Sequence, residues 1–432
     1  MISRLELKNY RCFQDAEISL SPFSVIVGQN SAGKTAFINA LLQLSRFPNH
    51  YLFAPECWAG QKPEQLRCYW VSKDSPIVID CKFRSTPTSS DNYRFLVQLS
   101  AAEDKLNIEN AGLEITEEQF HTPLSIAFER KNRDDLSVVL PDGQQPVSFG
   151  DKGRNPLFFH ALNNESWLSE NLSGAKDIKD RVLFACNYLQ RIRNFDFRPE
   201  SISSWGVPKA TSLSDLTADG SNLMEILEYI QEAENDVFES INKELRRVVP
   251  NCMGITFDRD LVSKFEYANE EEGPFRTRKF VQETLMKRLA YRFERDGKNI
   301  LLPSNAVSSG LLLFTAFITL ARVSYRPSVL IVEEPERGVH PGRLKEIVTW
   351  LRTMTESSPG RSGTQVILTT HSPYLLDCCK PEEVLIFHRP EGAGTRVQQM
   401  SKVKNVNKLL AQLQPGELWT ALTEEKLVSS KV

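Results

Sequence analysis

Gly28-Gln29-Asn30-Ser31-Ala32-Gly33-Lys34-Thr35 stands between an all-apolar run, Val25-Ile26-Val27, and a helical repeat of apolar residues at Phe37, Ile38, Leu41, Leu42 and Leu44. Strand, glycine loop and helix in that order narrow the fold more than any other feature, because the string fits G-x-x-x-x-G-K-[ST] in context as well as in letters. Glycines let successive backbone N–H groups curl around a phosphate, and the helix amino end adds partial positive charge. Lys34 has the reach to meet β/γ-phosphate oxygens, and Thr35 offers its hydroxyl oxygen to Mg²⁺. The preceding segments alternate apolar and polar residues through Leu5 and Leu7 and again through Ala16, Ile18 and Leu20, so two half-buried strands lead into a central one. An α/β fold is the expectation.

A second buried strand, Val329-Leu330-Ile331-Val332, ends in Glu333-Glu334. Of two carboxylates at a strand end, the first can order a Mg²⁺ hydration shell and the next can polarise an attacking water. We assign Glu333 to the metal and Glu334 to the water. A third strand, Val366-Ile367-Leu368, runs into Thr369-Thr370-His371-Ser372-Pro373, where His371 could hydrogen-bond a terminal phosphate. Lys34 and Glu333 are 299 positions apart in the chain, too far for a minimal nucleotide fold, so an inserted lobe is expected between them.

The segment from Pro76 to Gly150 shows short alternating runs (Ile77-Val78-Ile79, Phe95-Leu96-Val97, Leu136-Ser137-Val138-Val139) separated by turn residues, the pattern of antiparallel strands. From Pro156 to Val249 the pattern is more helical, with Asp219-Gly220-Ser221-Asn222 as turn and cap before an amphipathic run from Leu223 to Val248. Asn251 to Asn299 is charged and mixed. The boundaries that follow are an N-terminal lobe at 1–75, a β-rich subdomain at 76–150, a mainly helical insertion at 151–294 and a C-terminal lobe at 295–432.

Composition excludes some classes. The 432 residues are 41% hydrophobic and 25% charged with a net charge of −3, so a large core can form and no global basic field favours sequence-independent DNA binding. The longest apolar stretch, Gly310 to Val323, is too short and too rich in Thr and Ala to cross a bilayer; a buried helix is expected there. The amino terminus alternates apolar and charged residues and lacks the apolar region of a signal peptide. A cytoplasmic protein with no membrane association is the expectation. Eight cysteines show no C-x-x-C pair and no zinc spacing, and adjacent Cys378 and Cys379 read as reduced thiols.

The glycine loop (Walker A), the Glu333-Glu334-Pro335-Glu336 strand end (Walker B), the Gly338-Val339-His340-Pro341 turn and Thr369-Thr370-His371-Ser372-Pro373 together resemble the ABC-type ATPases of the RecF/SMC/OLD group in order and local context. The resemblance covers roughly residues 1–75 and 295–392. It implies an ABC-type P-loop ATPase head with an antiparallel β subdomain and an inserted helical lobe, with ATP and Mg²⁺ as ligands. It makes His371 the switch histidine and Gly338-Val339-His340-Pro341 the D-loop. Val307-Ser308-Ser309-Gly310-Leu311 looks like the signature motif, where Ser308, Ser309 and Gly310 would grip the nucleotide of an opposite subunit. Two residues depart from the pattern: Glu333 stands where Asp is common, and Ser309 where transporters often carry Gly. Gln61 and Gln98 are both candidates for the Q-loop glutamine.

The resemblance further implies an ATP-gated, head-to-tail homodimer or higher homo-oligomer. Only 61 residues follow His371, too few for the TOPRIM nuclease domain that OLD nucleases carry. By analogy with the family it resembles, the expected role is the regulatory or sensor subunit of a bacterial anti-phage defence system that controls a separate effector protein. Two alternatives stay open: a RecF-like repair clamp that binds DNA directly, and a nucleotide-dependent scaffold with negligible hydrolysis.

Overall fold

The computed structural model describes residues 1–48, 63–72, 75–85, 91–102, 105–117, 125–130, 135–139, 147–150, 175–206, 215–267, 278–323, 326–357 and 362–422. The chain forms two compact units. One comprises Met1–Asn194, Pro327–Glu334 and Met354–Val432; the other comprises Phe195–Arg326 and Pro335–Thr353.

In the first unit, β1 (Ile2–Tyr10), β2 (Phe13–Ser19) and β4 (Ile77–Arg84) join β5 (Asp91–Ala102), β6 (Lys105–Glu117), β7 (Ser125–Arg130), β8 (Asp135–Val139) and β9 (Val147–Gly150). They make an eight-stranded sheet in the order β2-β1-β4-β5-β6-β7-β8-β9, antiparallel throughout. The alternation read at 5–20 and 77–97 therefore marks strands as expected, and β1 shows why: Ile2, Leu5 and Leu7 are buried while the residues between them are half-exposed.

A six-stranded sheet in the same unit runs β10 (Ile192–Phe195), β14 (Val329–Glu333), β15 (Gln365–Thr370), β3 (Phe23–Val27), β16 (Val384–His388), β17 (Arg396–Gln399). Its centre is parallel: β15 pairs with β14 and β3, and β16 pairs with β3. All of β3 and β15 and the first four residues of β14 are buried, as strands covered on both faces require. Helix α1 (Lys34–Arg46) and helix α2 (Ala175–Gln190) share one hydrophobic core with both sheets, including Phe37, Leu41, Leu44, Val182 and Leu189 with Leu5, Ile79, Phe95, Ile331, Ile367 and Phe387. Phe37 and Phe387 meet edge to face at 5.7 Å, which ties the loop-bearing end of α1 to β16.

The second unit holds helices α3 (Leu223–Ala233), α4 (Asn235–Val248), α5 (Ser309–Arg322) and α6 (Leu344–Thr353) and a three-stranded sheet, β11 (Cys252–Tyr267), β12 (Arg278–Arg295) and β13 (Lys298–Pro303). The Asp219–Asn222 turn is present, with Gly220 at φ 78°; the run expected from Leu223 to Val248 breaks at Glu234 into two helices. Asn222 precedes α3 but makes no side-chain cap; its Oδ1 instead accepts from the Thr217 N–H at 2.8 Å.

The charged stretch 251–299, placed by sequence partly in a mainly helical lobe, is an antiparallel hairpin with strands of 16 and 18 residues. Ile255, Phe257, Leu289 and Tyr291 alternate onto one face, and Arg288 on the other pairs with Asp258 at 2.7 Å directly across the strands. Charges scattered along the strand masked the period of two; cross-strand pairing is what accommodates them. The apolar stretch near 310–323 is α5, with Leu311 through Ala321 all buried. Among the described residues, no helix is long and apolar enough to cross a membrane.

Candidate functional site

A cavity of about 510 Å³ lies at the carboxyl ends of the parallel strands in the first unit. Asn30, Ser31, Gly33, Lys34 and Thr35 line it together with Glu333, Glu334, Thr369 and His371. Its size falls within the range of small-molecule sites, about 300–1,000 Å³. The order of β14, β15 and β3 explains the convergence: three adjacent parallel strands end together, and each hands its loop to the same crevice.

The glycine loop is built for close approach. A Cβ on Gly28 would sit 2.3 Å from the Phe387 carbonyl oxygen, and Gly33, at φ 106°, would place one 2.8 Å from Cys12 Sγ and 2.9 Å from Thr395 Oγ1. Ser31 also takes a left-handed φ of 65°. Thr395 secures the loop from outside by donating to the Ala32 carbonyl at 3.0 Å. Lys34 Nζ donates to the carbonyls of Gly28 (2.6 Å) and Gln29 (3.1 Å), which holds its ammonium across the loop. Helix α1 begins at Lys34 directly after Gly33, which has no side chain to cap its first turn. These features fit a phosphate chain: a cradle that a Cβ would fill, a cation across it and an uncapped helix start.

Glu333 and Glu334 leave β14 with different geometries. Glu333 is the last strand residue, and its Oε1 accepts from Asn194 Nδ2 at 2.7 Å. Asn194, on β10, gave no signal in the sequence; 139 positions separate it from Glu333, and only the β10–β14 neighbourhood joins them. Glu334 has φ 45°, a left-handed conformation that costs a residue with a side chain on the order of 1–3 kcal/mol. Its N–H still bonds the Thr369 carbonyl at 2.9 Å, so the sheet pins the backbone that carries the carboxylate. His371 follows β15 directly, and the chain beyond it is anchored by Ser372, whose N–H donates to Thr370 Oγ1 at 2.9 Å. Ser372 also caps the short helix α7 (Pro373–Leu376).

Of the two candidate Q-loop glutamines, Gln61 lies outside the described residues and Gln98, on β5, is not among the residues lining the cavity. Gln65 lines it instead. Arg11, Cys12, Arg67, Tyr69, Trp70 and Arg389 also line it. Sequence reading missed them because they come from three separate segments with no motif of their own. Burial raises the Cys12 thiol above its ordinary range.

Ser308, Ser309 and Gly310 belong to the second unit and do not line this cavity. Ser308 is the N-cap of α5, its Oγ accepting weakly from the Leu311 N–H at 3.4 Å. Both serines are exposed. The Gly338 carbonyl lies 3.6 Å from where a Cβ on Gly310 would sit, so the signature-like turn and the D-loop-like turn pack against each other within one unit. Gly338 supplies φ 77° to that turn, and His340 Nδ1 accepts from the Gly342 N–H at 3.1 Å just beyond it.

Residues 23–377 match the family described as "AAA domain, putative AbiEii toxin, Type IV TA system". An OLD nuclease from Thermus scotoductus is 22% identical over 392 residues, covering 90% of this chain; the chain spans 62% of that relative's length. Among solved structures, the SMC head bound to the C-winged helix domain of ScpA aligns over 92% of this chain and 97% of its own at 13% identity with a TM-score of 0.46. A head domain from Pyrococcus furiosus with an extended coiled coil, bound to the C-terminal domain of ScpA, aligns over 95% and 99% at 12% identity with a TM-score of 0.40. A family match across most of the chain makes this chain a member of that AAA-domain family, and the glycine loop, the paired carboxylates and the histidine at adjacent strand ends accord with it.

Proposed function

We propose that the cavity binds ATP with Mg²⁺ and hydrolyses it to ADP and phosphate, and that ATP holds two copies of the chain head to tail. The observation that carries this reading is the convergence of Lys34, Thr35, Glu333, Glu334 and His371 in one cavity. The backbone from Gly28 to Thr35 cradles the β-phosphate, and Lys34 neutralises β/γ oxygens. Thr35 and Glu333 would hold Mg²⁺, which when bound spreads the charge that builds on the phosphoryl oxygens. Asn194 donates to the Glu333 carboxylate at 2.7 Å and so restrains it. Glu334 accepts a proton from the attacking water, and its strained, sheet-pinned backbone keeps the carboxylate at one place. His371 hydrogen-bonds the γ-phosphate.

Ser308, Ser309 and Gly310 close the cavity of the opposite copy. The exposure of both serines at a helix start supports this, since a second chain's phosphate can reach them. Purified Glu334→Gln protein should bind Mg-ATP without turning it over and should double in mass by light scattering. A monomer at saturating Mg-ATP would sink the clamp reading.

The chain's role is that of a regulatory ATPase in a bacterial anti-phage defence system acting through a separate effector. Membership of a family described by a type IV toxin–antitoxin system supports a two-component arrangement, and the OLD relative supports a nucleic-acid effector. Co-expression with the adjacent gene product should yield a stable heteromeric complex and growth arrest that needs Lys34. An ATP-dependent homodimer that recruits no second protein and whose turnover rises steeply with DNA at low salt would favour the direct DNA clamp.

A further inference from the structure

The catalytic reading uses only one end of the cavity. In the sheet, β16 lies on the opposite side of β3 from β15 and β14. Arg389, just beyond β16, is therefore across the glycine loop from Glu334 and His371, which stand just beyond β14 and β15. At the Arg389 end, Arg11 and Cys12 form the turn between β1 and β2. The segment 66–70 is fastened to that turn by the Arg11 N–H to the Leu66 carbonyl (2.6 Å) and the Cys68 N–H to the Asn9 carbonyl (3.0 Å). Trp70 packs partly against the hydrophobic core and carries the Arg389 guanidinium 5.5 Å from its ring centre. Tyr69 meets the Trp70 ring edge-on, 6.2 Å between centres, while remaining 91% exposed.

Topology dictates how a nucleotide would lie. With its terminal phosphate toward the carboxylates and its middle phosphate in the loop, the remaining half of the molecule must extend toward β16 and the β1–β2 turn. We propose that Trp70 and Arg389 form the nucleobase subsite, the base lying flat against this pair. The inference rests on the nucleotide site proposed above. A planar guanidinium over an indole is a stacking surface with a cationic face, which a purine covers better than a pyrimidine. Stacking reads the area of the base and not its hydrogen-bonding edge. ATP and GTP therefore bind alike, and CTP and UTP bind more weakly.

The test compares Mg-AMP-PNP with Mg-tripolyphosphate, which has the phosphates and no base, by calorimetric titration of the full chain. Trp70→Ala and Arg389→Ala should each weaken AMP-PNP about tenfold while leaving tripolyphosphate within about twofold. Arg389 is exposed, so its variant tests the subsite without touching the core on which Trp70 rests. Trp70→Phe should recover most of the affinity. Arg389→Lys, which keeps the charge and loses the plane, should behave like Arg389→Ala. Equal weakening of both ligands, undiminished AMP-PNP binding, or full affinity in Arg389→Lys would overturn the base subsite. A wild-type chain that binds tripolyphosphate as tightly as AMP-PNP would remove the subsite and keep the phosphate site; one that binds neither would remove both.

Discussion

Two glycine- and serine-bearing turns open helices in this chain, and they are built in opposite ways. The loop before α1 enters its helix through Gly33 in a left-handed conformation with no side-chain cap. The turn before α5 enters through Ser308 in an extended conformation, and the serine oxygen already takes the Leu311 N–H. The first helix is amphipathic, set between a cavity and a core. The second is buried along its whole middle, from Leu311 to Ala321, with Tyr291 and Thr315 sharing a hydrogen bond at 3.0 Å beneath it. The contrast teaches that a helix can start beside a cavity with no side-chain cap, or on an exposed surface through a serine that caps its own first turn. Only the first should bind a phosphate without help from a second chain.

The comparison can be broken at several points. The largest effect is expected at Glu334: changing it to Gln should reduce ATP turnover by about 10²–10⁴-fold, the usual worth of a general base, with nucleotide affinity retained. Turnover within tenfold of wild type would move the base elsewhere. Next comes Lys34→Ala, which removes charge-assisted contacts worth about 1.5–3 kcal/mol and should weaken ATP binding by one to two orders of magnitude. Unchanged affinity in a titration would end the claim that the uncapped loop is the phosphate site.

Gly33→Ala should lower stability by about 1–3 kcal/mol, because φ 106° is strained for any side chain and Cys12 Sγ would be 2.8 Å away. Denaturant melts measure this, and a neutral result would mean the loop is softer than its geometry implies. Ser308→Ala should cost only about 1 kcal/mol of stability, the ordinary worth of an N-cap. In the Glu334→Gln background it should also abolish the ATP-dependent dimer without changing nucleotide affinity at low protein concentration. A dimer that survives would make Ser308 a cap and nothing more. The smallest effect belongs to Asn194→Ala, which should raise the Mg²⁺ concentration needed for half-maximal turnover several-fold, since Glu333 loses the bond that orients it. An unshifted Mg²⁺ dependence would separate Glu333 from the metal.

Much of this was legible before any coordinates. The strand–loop–helix unit around Lys34, the buried strands ending at Glu333 and Thr370, the antiparallel alternation after Pro76 and the buried helix after Gly310 all carry local periods or local turn chemistry. What misled was the hairpin 252–295, whose charges pair across strands at positions dozens of residues apart, as Asp258 does with Arg288. What stayed invisible was Asn194, Arg11, Gln65, Trp70 and Arg389: each is an ordinary residue in its own segment and gains meaning only from its neighbours.

The sequence by itself determined that a glycine loop stands between a buried strand and a helix, which residues form it, and that carboxylates and a histidine leave buried strands elsewhere in the chain. These depend on backbone conformation and hydrophobic period, which act over a few residues. Only the tertiary structure decided that the three strand ends share one cavity, that Asn194 braces Glu333, and that a tryptophan and an arginine meet at its far end. Those facts follow from the lateral order of strands in a sheet, and that order is set by which buried faces pack together across hundreds of residues.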